Sequence, residues 1–407
     1  MNESGDRVSN RPEDREPTVP NSKDGATDAD DATIAGGTFV ELPRTSLEDT
    51  QHGGGRAHFE PDELRRVLDS YPLGEVTRIR ELEAGSRQAP KVRISSTEGE
   101  YLLKRRVARP ELVERVVFNH GLQLHLETEG VPVARLVGTS RENRSMLLED
   151  DRVYELFEWI EGRRLVRAAP EVLNAGRILG RLHRSSMGFE PERPSGVSGF
   201  HAARSLQVAF DRVESAIRSV DSSVDEKNLA ELVNELREMV QVARDEVDAM
   251  GWSDLPSQPI HGDWHPGNVL FTPNPPTARR PGVVRAVIDF DSSRCEPRVV
   301  DVANGLLHFA MRSDRDRSPA EWPTSLSPDR MRALIAGWTE VVGGAESAES
   351  KLLPSLMIEG LIAESVVPIA KFGTFARVPG APFLSMVREK ARWIRKHASQ
   401  IARLISD

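Results

Sequence analysis

The apolar positions change rhythm along this chain of 407 residues. Residues 1–57 show no apolar period, hold almost no aromatic side chains and end in Gly53-Gly54-Gly55. Such a segment buries too little apolar area to offset its chain entropy, which predicts a disordered tail. From Pro61 the pattern becomes regular. Leu64, Val67 and Leu68 make one face of a short helix over 61–68 that opens on acidic residues. Residues 76–82 read as a strand, Gly85-Ser86 as a turn, and 91–95 as a half-buried strand with Val92 and Ile94 on one side. A turn at Glu98-Gly99-Glu100 leads into a strand over 101–104. A helix over 112–129 is stopped by Gly130 and Pro132, and strands follow at 145–148 and 152–159. This is a small antiparallel sheet with one long helix.

Beyond Gly162 the period becomes helical. Helices are predicted over 170–183, 202–220, 225–249, 329–342, 352–371 and 382–406. Short strands around 261–291 interrupt them, joined by a proline-rich hairpin loop at 273–281. In the last helix Leu384, Val387, Ala391, Ile394, Ala398 and Ile401 recur at spacings of three and four, the stripe of a core-facing helix rather than of a partner surface. The class is α+β, with a sheet-bearing part over 58–160 and a mostly helical part over 161–407.

Bulk properties narrow the function classes. The net charge is −9, which argues against a nucleic-acid binder acting through a basic surface. One cysteine, Cys295, excludes an internal disulfide framework and suits a reducing compartment. No run of roughly 18 apolar residues is seen, so no membrane-spanning helix is expected, and the first residues lack the apolar core of a signal peptide. A cytoplasmic protein with no membrane and no nucleic-acid partner is expected.

The chemistry concentrates in His261-Gly262-Asp263-Trp264-His265-Pro266-Gly267-Asn268, followed by Val287-Ile288-Asp289-Phe290-Asp291. Phosphoryl transfer asks the protein for positioning and charge neutralisation more than for covalent help. Asp263 is the candidate to orient an attacking hydroxyl. Magnesium takes hard oxygen ligands and keeps several waters, so the amide of Asn268 and the carboxylate of Asp289 suffice beside phosphates. The loop span from Asp263 to Asn268 lets both side chains converge, and a buried strand brings Asp289 beside them. His261 is read as a structural residue of the loop.

This constellation resembles the aminoglycoside phosphotransferase and choline kinase superfamily, whose fold is related to protein kinases. The loop is similar to that family's His-Gly-Asp-x-His-x-x-Asn signature, and 287–291 to its metal-binding strand end. Asp301 resembles a family Asp at the start of a structural helix. The resemblance extends over most of 61–405, and it implies a bilobal protein-kinase-like fold, ATP and magnesium as cofactors, and a small-molecule hydroxyl substrate. It places Gly85 and Ser86 in the phosphate-covering loop, Lys104 as the strand lysine that meets ATP phosphates, and the backbone of Glu158 and Ile160 at the adenine. Trp264, His265 and Asp291 are then the candidate substrate contacts, and Asp291 and Glu364 candidate partners for a substrate ammonium. Within the superfamily the homoserine-kinase-type and spore-coat-kinase-like branches look most similar.

One departure stands out. The helix Glu that usually holds such a lysine is expected near Asn119, with Glu114 or Glu111 as substitutes. That departure keeps a nucleotide-binding pseudokinase or scaffold open as a second reading. A metal-dependent hydrolase, with His261, Asp263 and His265 alternating like ligands, is a third.

Overall fold

The computed structural model describes residues 57–82, 89–166, 169–197, 199–274, 282–314, 317–344, 347–376 and 378–406. The predicted tail, except for residue 57, and the turn at Gly85-Ser86 lie outside them.

Helix α1 (Pro61–Leu68) starts with proline at its first position, where a missing N–H costs nothing. Strands β1 (Val76–Leu82), β2 (Lys91–Ser96) and β3 (Gly99–Val107), helix α2 (Pro110–Thr128), and strands β4 (Leu147–Glu149) and β5 (Arg152–Glu158) follow. The sheet order is β1-β2-β3-β5-β4, with every neighbouring pair antiparallel.

The two-residue period of a strand sorts β3 into two faces. Tyr101 and Leu103 join Val92, Ile94, Tyr154 and Leu156 in a core closed by Val67 and Leu68 of α1. Arg105, on that same face, meets the buried Glu63 of α1 at 2.8 Å, and Tyr154 Oη donates to Glu63 at 2.8 Å. Lys104 and Arg106 point to the opposite face. Glu155 faces Lys104 across the β3–β5 ladder.

Helices α3 (Ala169–Ser186), α4 (Arg204–Phe210), α5 (Val213–Val220) and α6 (Glu226–Ala249) come next. Strands β6 (Gln258–Ile260), β7 (Val269–Phe271), β8 (Val284–Val287) and β9 (Arg294–Glu296) form two antiparallel pairs, β6 with β9 and β7 with β8. Helices α7 (Val299–Phe309), α8 (Pro328–Val342), α9 (Ser347–Phe372), α10 (Gly380–Lys396) and α11 (Ala398–Ser406) complete the chain.

Their apolar faces share one large core. Each fully buried Leu or Ile there contributes about 1.5–3 kcal/mol before chain entropy is counted. Phe118, Leu122 and Leu126 of α2 belong to this helical core and not to the one under the sheet.

Three differences from the sequence pattern have local causes. The predicted helix 202–220 breaks at Asp211-Arg212 into α4 and α5. The predicted helix 382–406 breaks at His397, whose ring stacks on Trp393 and bonds its carbonyl at 2.8 Å. Leu384, Val387, Ala391, Ile394 and Ile401 of its stripe are buried as expected, whereas Ala398, beside the break, is only partly so. Helix α7 escaped the periodic reading because all of its residues are buried, so no polar face marks its period. Helix α9 is long and apolar enough by composition to cross a membrane, but most of it is packed inside the helical core.

Helices α3 and α8 approach backbone to backbone. A Cβ on Gly176 would lie 2.1 Å from the Leu334 carbonyl oxygen, and one on Gly337 would lie 2.0 Å from that of Leu173. Only glycine permits this distance, and it brings Trp338 of α8 against His183 of α3, directly behind the loop at 261–268.

Candidate active site

The loop between β6 and β7 is held from behind by one buried carboxylate. Asp301, in the first turn of α7, accepts the backbone N–H of His261 and of Gly262, each at 2.8 Å. His183 Nε2 donates to it at 3.2 Å, while His183 Nδ1 accepts the indole N–H of Trp338 at 3.0 Å. Burial alone would raise the Asp301 pKa; the hydrogen bonds from His183 and from the loop backbone outweigh it and hold the carboxyl below its usual range. Gly262 turns the loop at φ +76°, and a Cβ there would sit 2.2 Å from the Ser292 carbonyl oxygen.

His261 is structural, as its place in the motif suggested. Its Nε2 donates to the Ile288 carbonyl at 3.1 Å, and its Nδ1 accepts the Asp263 N–H at 3.3 Å. Burial pushes its pKa down, which keeps it neutral. With both ring nitrogens engaged it offers nothing to a metal, which removes the histidine-rich ligand set.

Asp263 emerges from this scaffold with a partly exposed carboxylate, 21 % by side chain. The amide nitrogen of Asn268 donates to its Oδ2 and to its backbone carbonyl, both at 3.0 Å. The Ile288 N–H in turn donates to the Asn268 carbonyl at 2.9 Å, which ties the loop to the strand end before Asp289. Asp289 itself takes the left-handed conformation at φ +71°, a strained choice for a residue other than glycine but one that aspartate tolerates. Asp263 and Asn268 are thus in direct contact, and the backbone bond from Ile288 ties the segment that carries Asp289 to the same loop.

Lys104 reaches that segment from β3. Its Nζ lies 2.7 Å from Asp291 Oδ2 and 3.8 Å from Asp289 Oδ1. Arg106, two residues on and so on the same face, pairs with both Asp291 and Glu155. His120 of α2 contacts Glu155 at 3.0 Å. Burial would raise the pKa of Glu155, but Arg106 and His120 hold it far below the carboxylate range.

Two candidate substrate contacts are corrected. Trp264 is wholly buried in the helical core, its ring against His261 and beside Gly305, so it presents no surface to a substrate. Asp291 is also buried, and its carboxylate is taken up by Lys104 and Arg106, so it is no partner for a substrate ammonium. His265 does flank Asp263. Its Nδ1 accepts the Gly267 N–H at 2.9 Å, and its Nε2 lies 3.4 Å from Asp263 Oδ2. Behind it His308 of α7 pairs with Glu364 of α9 at 2.8 Å, its ring 5.8 Å from that of His265. Burial would lower the His308 pKa; Glu364 and Asp263 together raise it.

The helix acids proposed as substitutes do not serve. Glu111 and Glu114 are exposed, and among the described residues neither forms an ion pair with Lys104. Asn119 is buried, with neither side-chain polar atom hydrogen-bonded.

At the end of β5, Glu158 faces Tyr101, and the Trp159 N–H to Glu100 carbonyl bond closes the ladder beyond it. The Glu158 N–H turns instead to the Arg135 carbonyl at 2.9 Å, so what Glu158 can offer a ligand is its own carbonyl. Ile160 follows in the extended link towards α3.

Sequence reasoning missed Arg106, Arg115, Glu155, His183 and His308. Strand alternation puts Arg106 beside Lys104, a signal present in the sequence; the other four are recruited from distant elements.

Residues 78–341 match the phosphotransferase enzyme family. The chain is 26 % identical over 283 residues to a homoserine kinase of Caulobacter sp. (strain K31), covering 68 % of this chain and 76 % of that one. It shares a fold with an aminoglycoside phosphotransferase from Alicyclobacillus acidocaldarius subsp. acidocaldarius DSM 446, at TM-score 0.55 and 16 % identity over 88 % of this chain and 99 % of that one. A microcompartment-associated aminopropanol kinase aligns at TM-score 0.56 and 16 % identity, over 84 % and 99 % respectively.

Proposed function

Because the chain belongs to the phosphotransferase enzyme family, we propose that it is an ATP- and magnesium-dependent kinase that moves the γ-phosphate to a hydroxyl of a small acceptor. The observation that carries the reading is a pair of contacts on two segments tied by the Ile288–Asn268 backbone bond: Asp263 with the Asn268 amide at 3.0 Å, and Asp289 with the strand ammonium of Lys104 at 3.8 Å.

The donor set suits magnesium. Asn268 spends its amide nitrogen on Asp263, which turns its carbonyl oxygen away from that contact, and Asp289 adds a carboxylate. Among the described residues no group of three or more His, Cys, Asp or Glu forms a cage, and a metal held chiefly by phosphates and water needs none. When bound, magnesium neutralises charge on the phosphates being transferred.

The chain's own residues do the rest. Asp263 accepts a hydrogen bond from the acceptor hydroxyl and orients its oxygen for in-line attack. Lys104 neutralises phosphate charge from the sheet side. The Glu158 carbonyl and the Ile160 N–H bond the adenine edge, and Gly85 and Ser86 belong to the loop over the phosphates. Residues 58–160 form the nucleotide-covering lobe, and 161–407 form the lobe that carries Asp263 and the acceptor. His265 and the His308–Glu364 pair flank the approach to Asp263. Homoserine, amino alcohols and aminoglycosides are the acceptors to test first.

The test is a panel of amino acids including homoserine, amino alcohols, aminoglycosides and sugars, read by ADP release with and without magnesium. An acceptor that gives magnesium-dependent release well above an Asp263→Asn control supports the reading. Release no higher than that control with every acceptor defeats it.

A further inference from the structure

A lysine ammonium on a four-carbon stem does not hold its own position; it needs a fixed anion. Here the anion comes from the turn after Asp289. Lys104 Nζ donates to Asp291 Oδ2 at 2.7 Å, and both side chains are about nine-tenths buried, 8 % and 10 % exposed.

Asp291 is itself held by two arginines besides the lysine. Its second carboxylate oxygen pairs with Arg106, which shares the Lys104 face of β3. Arg106 is fixed in turn by Glu155, opposite Lys104 on β5. The Asp291 backbone carbonyl accepts two hydrogen bonds from the guanidinium of Arg115 on α2, at 2.8 and 2.6 Å. The charges around the lysine therefore alternate across the sheet face: Lys104 to Asp291, Asp291 to Arg106, Arg106 to Glu155. The acids of the first turns of α2, Glu111 and Glu114, lie outside this chain of contacts on the exposed side of the helix.

We infer that Asp291 is the positioning residue of Lys104, fixing its ammonium 3.8 Å from Asp289 through a single turn of backbone. Lysine and metal-side carboxylate are then linked through the short turn 289–291. Among the described residues helix α2 reaches this arrangement through Arg115 and the Asp291 carbonyl and through His120 and Glu155. This inference rests on the reading of Lys104 as the group that meets nucleotide phosphates.

The experiment is a double-mutant cycle in the full chain with the best acceptor from the panel. KM for ATP, KM for the acceptor and kcat are measured for the parent, Lys104→Ala, Asp291→Asn and the double variant, with circular dichroism to verify folding. Asp291→Asn is expected to worsen kcat/KM for ATP by about 10–100-fold while KM for the acceptor stays within about twofold. The double variant is expected to be no worse than Lys104→Ala alone, because Asp291 acts through the lysine. Losses that multiply in the double variant overturn the inference.

A second arm does not depend on how Asp291→Asn folds. The exposed pair Glu111→Gln/Glu114→Gln is expected to keep the parent KM for ATP; a loss matching Lys104→Ala would make a helix acid the anchor and overturn the inference. The two levels of failure separate cleanly. If Lys104→Ala leaves KM for ATP unchanged in an active parent, the reading of Lys104 falls and the inference with it. If Lys104→Ala raises KM and Asp291→Asn does not, only the role of Asp291 falls.

Discussion

Asp301 accepts the backbone N–H of Gly262 at 2.8 Å, so a helix carboxylate holds the turn that presents Asp263. The second oxygen of the same group takes the N–H of His261 and the imidazole of His183. A buried acceptor with three donors cannot be removed without orphaning them. Asp301→Ala is expected to cost about 3–5 kcal/mol of stability, read by urea unfolding. A cost under 1 kcal/mol would show that the loop does not depend on this group.

Gly262→Ala probes the other half of the same relationship. The turn needs φ +76°, and a methyl group would press on the Ser292 carbonyl at 2.2 Å. Both the left-handed backbone and the contact are unfavourable, so loss of about 2 kcal/mol or more is expected, accompanied by a fall in kcat as Asp263 shifts. Thermal unfolding and kinetics on the same preparation check it.

Asp263→Asn separates chemistry from folding. The carboxylate is partly exposed, so the amide replaces it with little structural penalty. A fall of about 10²–10⁴-fold in kcat is expected, with the melting temperature within about two degrees of the parent. A fall in melting temperature matching the loss of activity would make Asp263 a structural residue.

Acid should loosen helix α1 from the sheet in a defined window. Burial would raise the Glu63 pKa, but hydrogen bonds from Arg105, Tyr154 and Arg152 hold it at about 2, against 4.5 for an ordinary Glu. The unfolded chain therefore binds the extra proton between these values, so stability is fully present above 4.5 and is lost as pH falls toward 2. Glu63→Gln is expected to be less stable at neutral pH and to show a shallower loss across that window. Unfolding free energy measured against pH for both proteins decides it; parallel curves would contradict the assignment.

Lys390 gives a dependence of the same sense in the alkaline range. It is wholly buried in α10, with Nζ donating to the Pro323 carbonyl at 2.6 Å. Burial, with Arg312 nearby, pushes its pKa down to about 8 from 10.5. Between those values the unfolded chain holds the proton more tightly, so stability rises with pH. The parent is expected to gain stability relative to Lys390→Met as pH passes through this window. A constant difference between the two would refute the shift.

Much of this protein was determined by local pattern. Apolar spacing marked α1, the strands of the sheet, α2 and most later helices, since burial on one face leaves a period of two or 3.6 in the residues themselves. The short loop from Asp263 to Asn268 likewise carried the contact of those two side chains in its spacing.

What the tertiary structure decided lay beyond any local period. Trp264, beside the candidate base, turned into the core because Gly305 of α7 leaves room for its ring. Asp291 became the partner of Lys104, 187 residues away in sequence, rather than a group for substrate. Helix α7, buried on every side, had no polar face to announce it. A pattern records which side of an element is apolar. Which distant charge neutralises a buried one depends on how the elements pack, and only the folded chain brings those charges together.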